Sequence, residues 1–297
     1  MSIGRRTPAR LRGFTLVELV VVIVLTAVVA GFVVLFLDAP VEEYFQQTGR
    51  ADLIDSADRI ANAVTPDLRV ALPNSIRTAR NGAQTLWAAE FLQTVGTAQY
   101  YAANENPSAT GELTNGPPAV AAFGTLFPFG PLGTVPYRLS AGNLGPPGPA
   151  NDAYAAGSQS MTPATTTVSI VGSPPAPPGQ NQVQLSPAMI FAGSGMPDHN
   201  SYLVQGPVSY VCDTRAGAGK GTLTRYWGYA ISPVQPLAFP AITPHALIAH
   251  DLSTCTFSWR ADAPNYRFGQ ILILDITLSK GGESLQVFLE APTEYNQ

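Results

Sequence analysis

The most continuous apolar stretch of the chain runs from Phe14 to Leu37, 24 residues interrupted by one charge, Glu18. As a helix, this length crosses a hydrocarbon layer of about 30 Å, so the pattern predicts a membrane-spanning segment. An ionised carboxylate in hydrocarbon costs roughly 2.5 kcal/mol or more, so Glu18 requires a partner or a place near the headgroups. Beyond Leu37, Pro40 lacks the N–H that a helix interior uses and predicts a bend or local opening. Helical periodicity then resumes: Leu53, Ile54, Ala57, Ile60, Ala61, Val64 and Leu68 share one arc, leaving Asp52, Asp55, Arg59 and Asn62 on other sides. Val41, Tyr44 and Phe45 project nearly opposite that stripe, with Gly49 between the two sets. Two readings fit. Either the upper part faces other subunits or lipid while the lower part packs on its own sheet, or this is an ordinary core helix with a loose turn at Gly49. Thr65-Pro66 and Leu72-Pro73 read as stop signals, because a residue before proline avoids the α region.

From Ser75 the period changes. Ser75 to Arg80, Asn81-Gly82 and Gln84 to Leu92 predict a β-hairpin, since Asn-Gly suits a tight turn with positive φ. Gln99 to Ala102 is a further short strand candidate. Residues 104–164 are rich in Pro, Gly and small polar residues with few sustained periodic runs, a segment read as flexible or functional. Phe123, Phe127, Phe129 and Tyr137 make part of it sticky enough to pack on the body or on a partner. Thr165 to Val171 reads as a strand, and Pro174 to Pro178 as a rigid connector. Alternation or β-branched and aromatic enrichment then marks Gln182 to Leu185, Ala188 to Ala192, Ser201 to Cys212, Leu223 to Ile231, Cys255 to Arg260, Ile271 to Leu278 and Leu285 to Leu289. Gly281-Gly282 joins the last two as a hairpin. The expected class is α+β: a long N-terminal helix, membrane-spanning and then amphipathic, packed on antiparallel β-sheet with a Pro/Gly-rich insertion. The expected divisions are a leader over 1–13, a transmembrane helix over 14–37 and an amphipathic stalk over 38–72. A small β region with the insertion follows over 73–181, and a C-terminal antiparallel β region over 182–297.

Charge sets the orientation. Residues 1–12 hold four arginines and no acid, a signature of a cytoplasmic N-terminus. The conspicuous small residue, Gly13, precedes the apolar run, whereas a secretory signal is cut after it. Cleavage at Gly13 would leave the helix on a mature chain of 284 residues. Without the four leader arginines, 12 basic residues face 20 acids, a formal net charge of −8, which does not favour a nucleic-acid surface. Cys212 and Cys255 fall on the non-cytoplasmic side, where two thiols are expected to pair.

The residues Gly13-Phe14-Thr15-Leu16-Val17-Glu18 resemble the processing site of type IV pilins and type II secretion pseudopilins. The resemblance implies that a prepilin peptidase cuts between Gly13 and Phe14 on the cytoplasmic side and N-methylates Phe14. Glu18 becomes the fifth mature residue, and pairs with the N-terminal amine of a neighbouring subunit during assembly. The implied partners are other major and minor pilins, an inner-membrane assembly platform, and the lipid bilayer before assembly. The implied course is from a single-pass inner-membrane protein with a periplasmic C-terminal domain to an extracellular filament. Short stretches such as Asp55-Ser56-Ala57-Asp58-Arg59-Ile60, Ser209-Tyr210-Val211-Cys212-Asp213 and Leu223-Thr224-Arg225-Tyr226 resemble MSHA-biogenesis minor pilins of the MshO type.

Catalytic chemistry has little to stand on. His199, His245 and His250 are the only histidines, no Ser or Cys occupies a nucleophile elbow, and Ala216 to Gly221 lacks the hydroxyl of a phosphate loop after Lys220. No enzyme, metal site or cofactor is expected. The expected role is a minor pilin of an MSHA-like type IV pilus. A secretion pseudopilin like the larger J-type component, or an adhesin or DNA-binding module carried on the filament, are the alternatives.

Overall fold

The computed structural model describes residues 14–102, 111–130, 132–145, 150–173, 176–191, 199–261 and 268–294, with backbone alone at 34–46, 268 and 294. Helix α1 (Leu16–Arg69) is a single 54-residue element. It is unbroken at Pro40, at Gly49 and at Pro66, so neither a local opening, nor a loose turn at Gly49, nor a stop before Pro66 occurs. At Pro66 the missing N–H would have met the carbonyl of Asn62, a residue on the exposed side of the helix where water can replace the bond. The side chains of Val41, Tyr44 and Phe45 lie outside the described residues.

The lower helix buries Leu53, Ile60, Val64 and Leu68 completely, as the periodicity predicts, and Ala57 and Ala61 in part. Ile54 departs from that stripe and is about half exposed; Ser56 takes a buried place instead, its hydroxyl accepting from Arg59 Nη2 at 2.8 Å. Each enclosed aliphatic side chain contributes about 1.5–3 kcal/mol, which fixes this part of the rod to the sheet.

The large sheet has eight strands. Its main path runs β1 (Arg77–Arg80), β2 (Leu86–Gln99), β8 (Asn200–Asp213), β9 (Gly221–Trp227), β10 (His245–Ala261), β11 (Phe268–Lys280) and β12 (Glu283–Glu294), with β5 (Arg138–Ala141) beside β8. All its pairings are antiparallel. Strand β10 serves two neighbours: its first half pairs with β9 and its second with β11, the handover falling at Leu252 next to bulges. Asp251, at that corner, holds a left-handed φ of 64°. The inner face meets α1 in one core that includes Phe91, Tyr210, Phe257, Leu274 and Ile276.

Within the Pro/Gly-rich segment 104–164, read as flexible or functional, the described residues form short strands. Strands β3 (Val120–Thr125) and β4 (Gly133–Val135) join β6 (Thr167–Val171) and β7 (Asn181–Met189) in a four-stranded sheet with its own core around Phe123, Phe129, Ile170 and Phe191. The two sheets do not respect a division near residue 181: β1 and β2 belong with the C-terminal strands, and β7 with the insertion. Long-range pairing decides this, Trp87 opposite Cys212 for example, and no local pattern encodes it. Residues 228–244 cross the outer face of the large sheet as a strap, placing Leu237 and Phe239 against Leu86, Ala88 and Val211.

Candidate functional site

The rod begins with a capped helix end. Thr15 is extended, with φ −79° and ψ 149°, and its Oγ1 accepts from the Glu18 N–H at 3.2 Å. Thr15 and Glu18 stand at the spacing of a capping box, and an acid in the first turn suits the partial positive charge of a helix N-terminus. Phe14, the first described residue, is 77 % exposed, and Gly13 lies outside the described residues.

From Leu16 to Val33 the helix is long and apolar enough to cross a membrane, and none of that span is buried within the chain. Thr26, the polar side chain in its middle, donates to the carbonyls of Val22 at 2.8 Å and Ile23 at 3.0 Å, so its hydroxyl is satisfied inside the helix. The rod therefore presents bare hydrocarbon on every side. At roughly 25 cal/mol per Å² of apolar surface, water is a poor environment for it; lipid or other apolar helices are needed.

Where the helix meets the head, a clasp of charges grips it. Lys280 Nζ donates to Asp52 Oδ2 at 2.6 Å, Arg50 lies 3.5 Å from Glu283, and a side chain at Gly49 would approach the Lys280 carbonyl at 3.8 Å. The Lys280 hydrogen bond holds the Asp52 carboxyl below the usual carboxylate range. Further along, Arg225 forks onto Asp67, Nε to Oδ2 at 2.6 Å and Nη2 to Oδ1 at 3.3 Å, while the Tyr210 hydroxyl meets Asp67 Oδ2 at 2.8 Å and the Ala63 carbonyl at 2.9 Å. Burial first, then the Asp67 carboxylate, pushes the Tyr210 hydroxyl far above its ordinary pKa.

Cys212 and Cys255 form a disulfide across strands β8 and β10, with Cα atoms 6.2 Å apart. His245 Nδ1 pairs with the Thr243 carbonyl, and His250 Nδ1 with Asp251 at 2.6 Å, while His199 lies against the Tyr100 ring. Among the described residues no group of three or more His, Cys, Asp or Glu side chains could hold a metal ion. Ala216 to Lys220 lie in the turn between β8 and β9, and Gly221 opens β9. Trp227 packs on the main core, and Tyr226 stacks on Phe239 of the strap at 4.3 Å.

Sequence reasoning missed one buried charge. Glu90 is fully enclosed on the outer face of β2, where Arg77 reaches Oε1 through Nε at 3.1 Å and Nη2 at 2.6 Å. Arg77 also donates to the strap carbonyls of Ser232 and Pro233, and its guanidinium lies 3.6 Å over the Tyr154 ring. A lone acid in the run Leu86-Trp87-Ala88-Ala89-Glu90-Phe91-Leu92 was the available signal.

An apolar rod without a partner, opening on a capped acid and clasped to a folded head, puts the informative residues at the N-terminus. Residues 9–34 match the family described as the prokaryotic N-terminal methylation motif. No curated protein and no solved structure matches the chain. The motif supports a type IV pilin-like or pseudopilin-like protein and points to a structural subunit. It implies processing by a prepilin peptidase and assembly with other pilins, and with the apolar helix it fits a single-pass membrane anchor.

Proposed function

We propose that this chain is a minor pilin of an MSHA-like type IV filament, anchored in the inner membrane until it is assembled into the filament or at its tip. The observation that carries the reading is the wholly exposed apolar span Leu16–Val33 inside the methylation motif, joined to a two-sheet head. In this reading the peptidase cuts between Gly13 and Phe14 and methylates Phe14, and the arginine-rich leader stays on the cytoplasmic side. Neighbouring helices then replace lipid around the rod. Glu18 pairs with the Phe14 amine of an adjoining subunit, which supplies the partner its desolvated carboxylate needs. A head this bulky would crowd a repeating shaft, which favours a low copy number.

Glu18→Ala tests the assignment. It keeps the chain in the membrane and lowers its content in purified filaments at least about tenfold, an effect of only 1.4 kcal/mol. Normal filament content would overturn the role given to the acid. Mass spectrometry of the mature chain, expected to begin at a methylated Phe14, checks the processing. The same rod would serve a secretion pseudopilus; recovery of the chain with a secretin complex and not with pili favours that machine.

A further inference from the structure

Charge is spread unevenly along this chain. Between Leu113 and Pro197, 85 residues, only Arg138 and Asp152 are charged, where the chain's 12 % average would give about ten. Arg138 donates to the Thr162 carbonyl, Asp152 accepts from the Tyr154 N–H at 2.9 Å, and neither residue belongs to the four-stranded sheet. Strands β3, β4, β6 and β7 carry no charge at all. Water-facing surfaces ordinarily hold roughly 25–35 % charged residues, so a whole sheet without one calls for a reason.

One face of that sheet is already used. Strand alternation turns Val168, Ile170, Val183 and Leu185 into the core. The other face carries hydroxyls and amides in register. Thr134, Ser169 and Gln184 stand side by side on β4, β6 and β7, spanning about 10 Å at the usual strand spacing. Thr167 lies opposite Ser186 one row further on. The Thr134 and Ser169 hydroxyls are 3.1 Å apart, and Gln184 Nε2 donates to Gln182 Oε1 at 3.0 Å. Thr134, Thr167, Gln184 and Ser186 are exposed. At the end of the sheet where β3 stops and β4 starts, Phe127 is 62 % and Leu132 65 % exposed.

The residue types select the ligand. Nucleic acid and anionic lipid are held by Lys and Arg, and these strands have neither. The centre of a protein interface is enriched in aromatic residues, Met and Arg, and none of these stands in the two polar rows. Hydroxyls and amides both donate and accept, and they leave water at far lower cost than ions when a ligand returns their hydrogen bonds. We propose that the outer face of the four-stranded sheet binds a neutral polysaccharide. Its hydroxyls pair with the row of Thr134, Ser169 and Gln184 and with Thr167 and Ser186, and its C–H faces lie against Phe127 and Leu132. The site belongs to the head and does not depend on which machine the rod serves.

The test uses the full-length chain, extracted in a zwitterionic detergent so that no sugar headgroup competes. Its retention is measured on cellulose, dextran and galactan, beside the acidic polymer alginate and duplex DNA. Retention on at least one neutral polymer, unchanged between low and high salt, is expected, since no ion pair forms. Gln184→Glu and Thr167→Lys then place opposite charges on the same face. Both are expected to weaken that retention about tenfold at an unchanged melting temperature, because either ion must be dehydrated. A charged ligand would gain from one and lose from the other. In wild type, hydroxyl-radical labelling of Phe127 and Leu132 is expected to fall when the retained polymer is added, while the equally exposed Phe288 on the large sheet keeps its labelling. That measurement decides even where a variant fails to fold. Retention on no neutral polymer, opposite effects of the two charges, or equal protection of Phe127 and Phe288 overturns the proposal. A chain that passes these tests yet never enters a filament overturns the assembly reading and leaves the site in place.

Discussion

Gln270 grips the backbone of Ile76, 194 residues earlier in the chain. Its Oε1 accepts from the Ile76 N–H at 2.6 Å and its Nε2 donates to the Ile76 carbonyl at 3.2 Å, so a side-chain amide does the work of a strand partner. Thr293 steadies it through two 3.1 Å bonds with the Gln270 backbone. Gln270→Ala strands two buried main-chain groups, and each unsatisfied group costs about 1–3 kcal/mol. The melting temperature should fall by several degrees, at about 2–4 °C per kcal/mol for a head of this size. Gln270→Glu, which removes the donor and sets an acid against a carbonyl, should be worse. Equal melting of all three chains would show that water replaces the carboxamide.

Glu90 gives the pH dependence an unusual sign. Burial raises its pKa above the ordinary 4.5, and the Arg77 charge and hydrogen bond offset this only in part. The folded chain thus holds this proton more tightly than the unfolded chain. The resulting stabilisation is complete below the ordinary pKa and is lost as pH rises through the folded value. Exposed Asp52, lowered by Lys280, acts in the opposite direction. Glu90→Gln removes the titration, so the wild type should gain on this variant as pH falls from neutral towards about 4.5, a comparison made by thermal melts across that range. A difference independent of pH would contradict the desolvated state of the carboxyl.

Parts of the molecule that repeat or punctuate locally were legible in the sequence. The rod, its acid, the stripe Leu53, Ile60, Val64 and Leu68, and the turns at Asn81-Gly82 and Gly281-Gly282 each follow from residues a few positions apart. Tertiary contacts decided the rest. Ile54 lies on the predicted arc but finds no surface to cover, and β3, β4 and β5 are three to six residues long, too short for a period to emerge among prolines and glycines. The first half of β10, from His245 to Asp251, was missed because its partner β9 and its bulges, not alternation, make it a strand. Gln270 and Glu90 read as ordinary polar residues until distant segments enclose them.

Asp67 ties the helix to two strands, and its loss should be felt at all of them. Asp67→Asn leaves the half-buried Arg225 guanidinium without its anion and weakens the acceptor of the Tyr210 hydroxyl. The expected cost is about 2–4 kcal/mol, against about 1 kcal/mol for Tyr210→Phe, which removes a single donor. Chemical denaturation of the two variants measures the difference. Amide exchange in the last two turns of α1 should rise more in Asp67→Asn than in Tyr210→Phe; the reverse order would place the anchor in the tyrosine.

The Cys212–Cys255 bond bridges the strand that lies between its two ends. Cys212 on β8 faces Leu223 of β9, and Cys255 belongs to the half of β10 that has already passed to β11. The link therefore joins the two halves of the sheet across the corner at Leu252, where the ladder itself is interrupted by bulges. Its loop spans 43 residues, for which chain entropy assigns about 4 kcal/mol on a model that counts only the unfolded state. A paired substitution, Cys212→Ser with Cys255→Ser, should lower the melting temperature by about 10 °C. Both cysteines are nearly fully buried, so a reductant should reach the bond only after the corner opens. Reduction of the native chain is then expected to be slow and to accelerate in parallel with amide exchange around Leu252. Prompt reduction without any rise in that exchange would show that the corner is open in the native state and that the disulfide alone does not hold it.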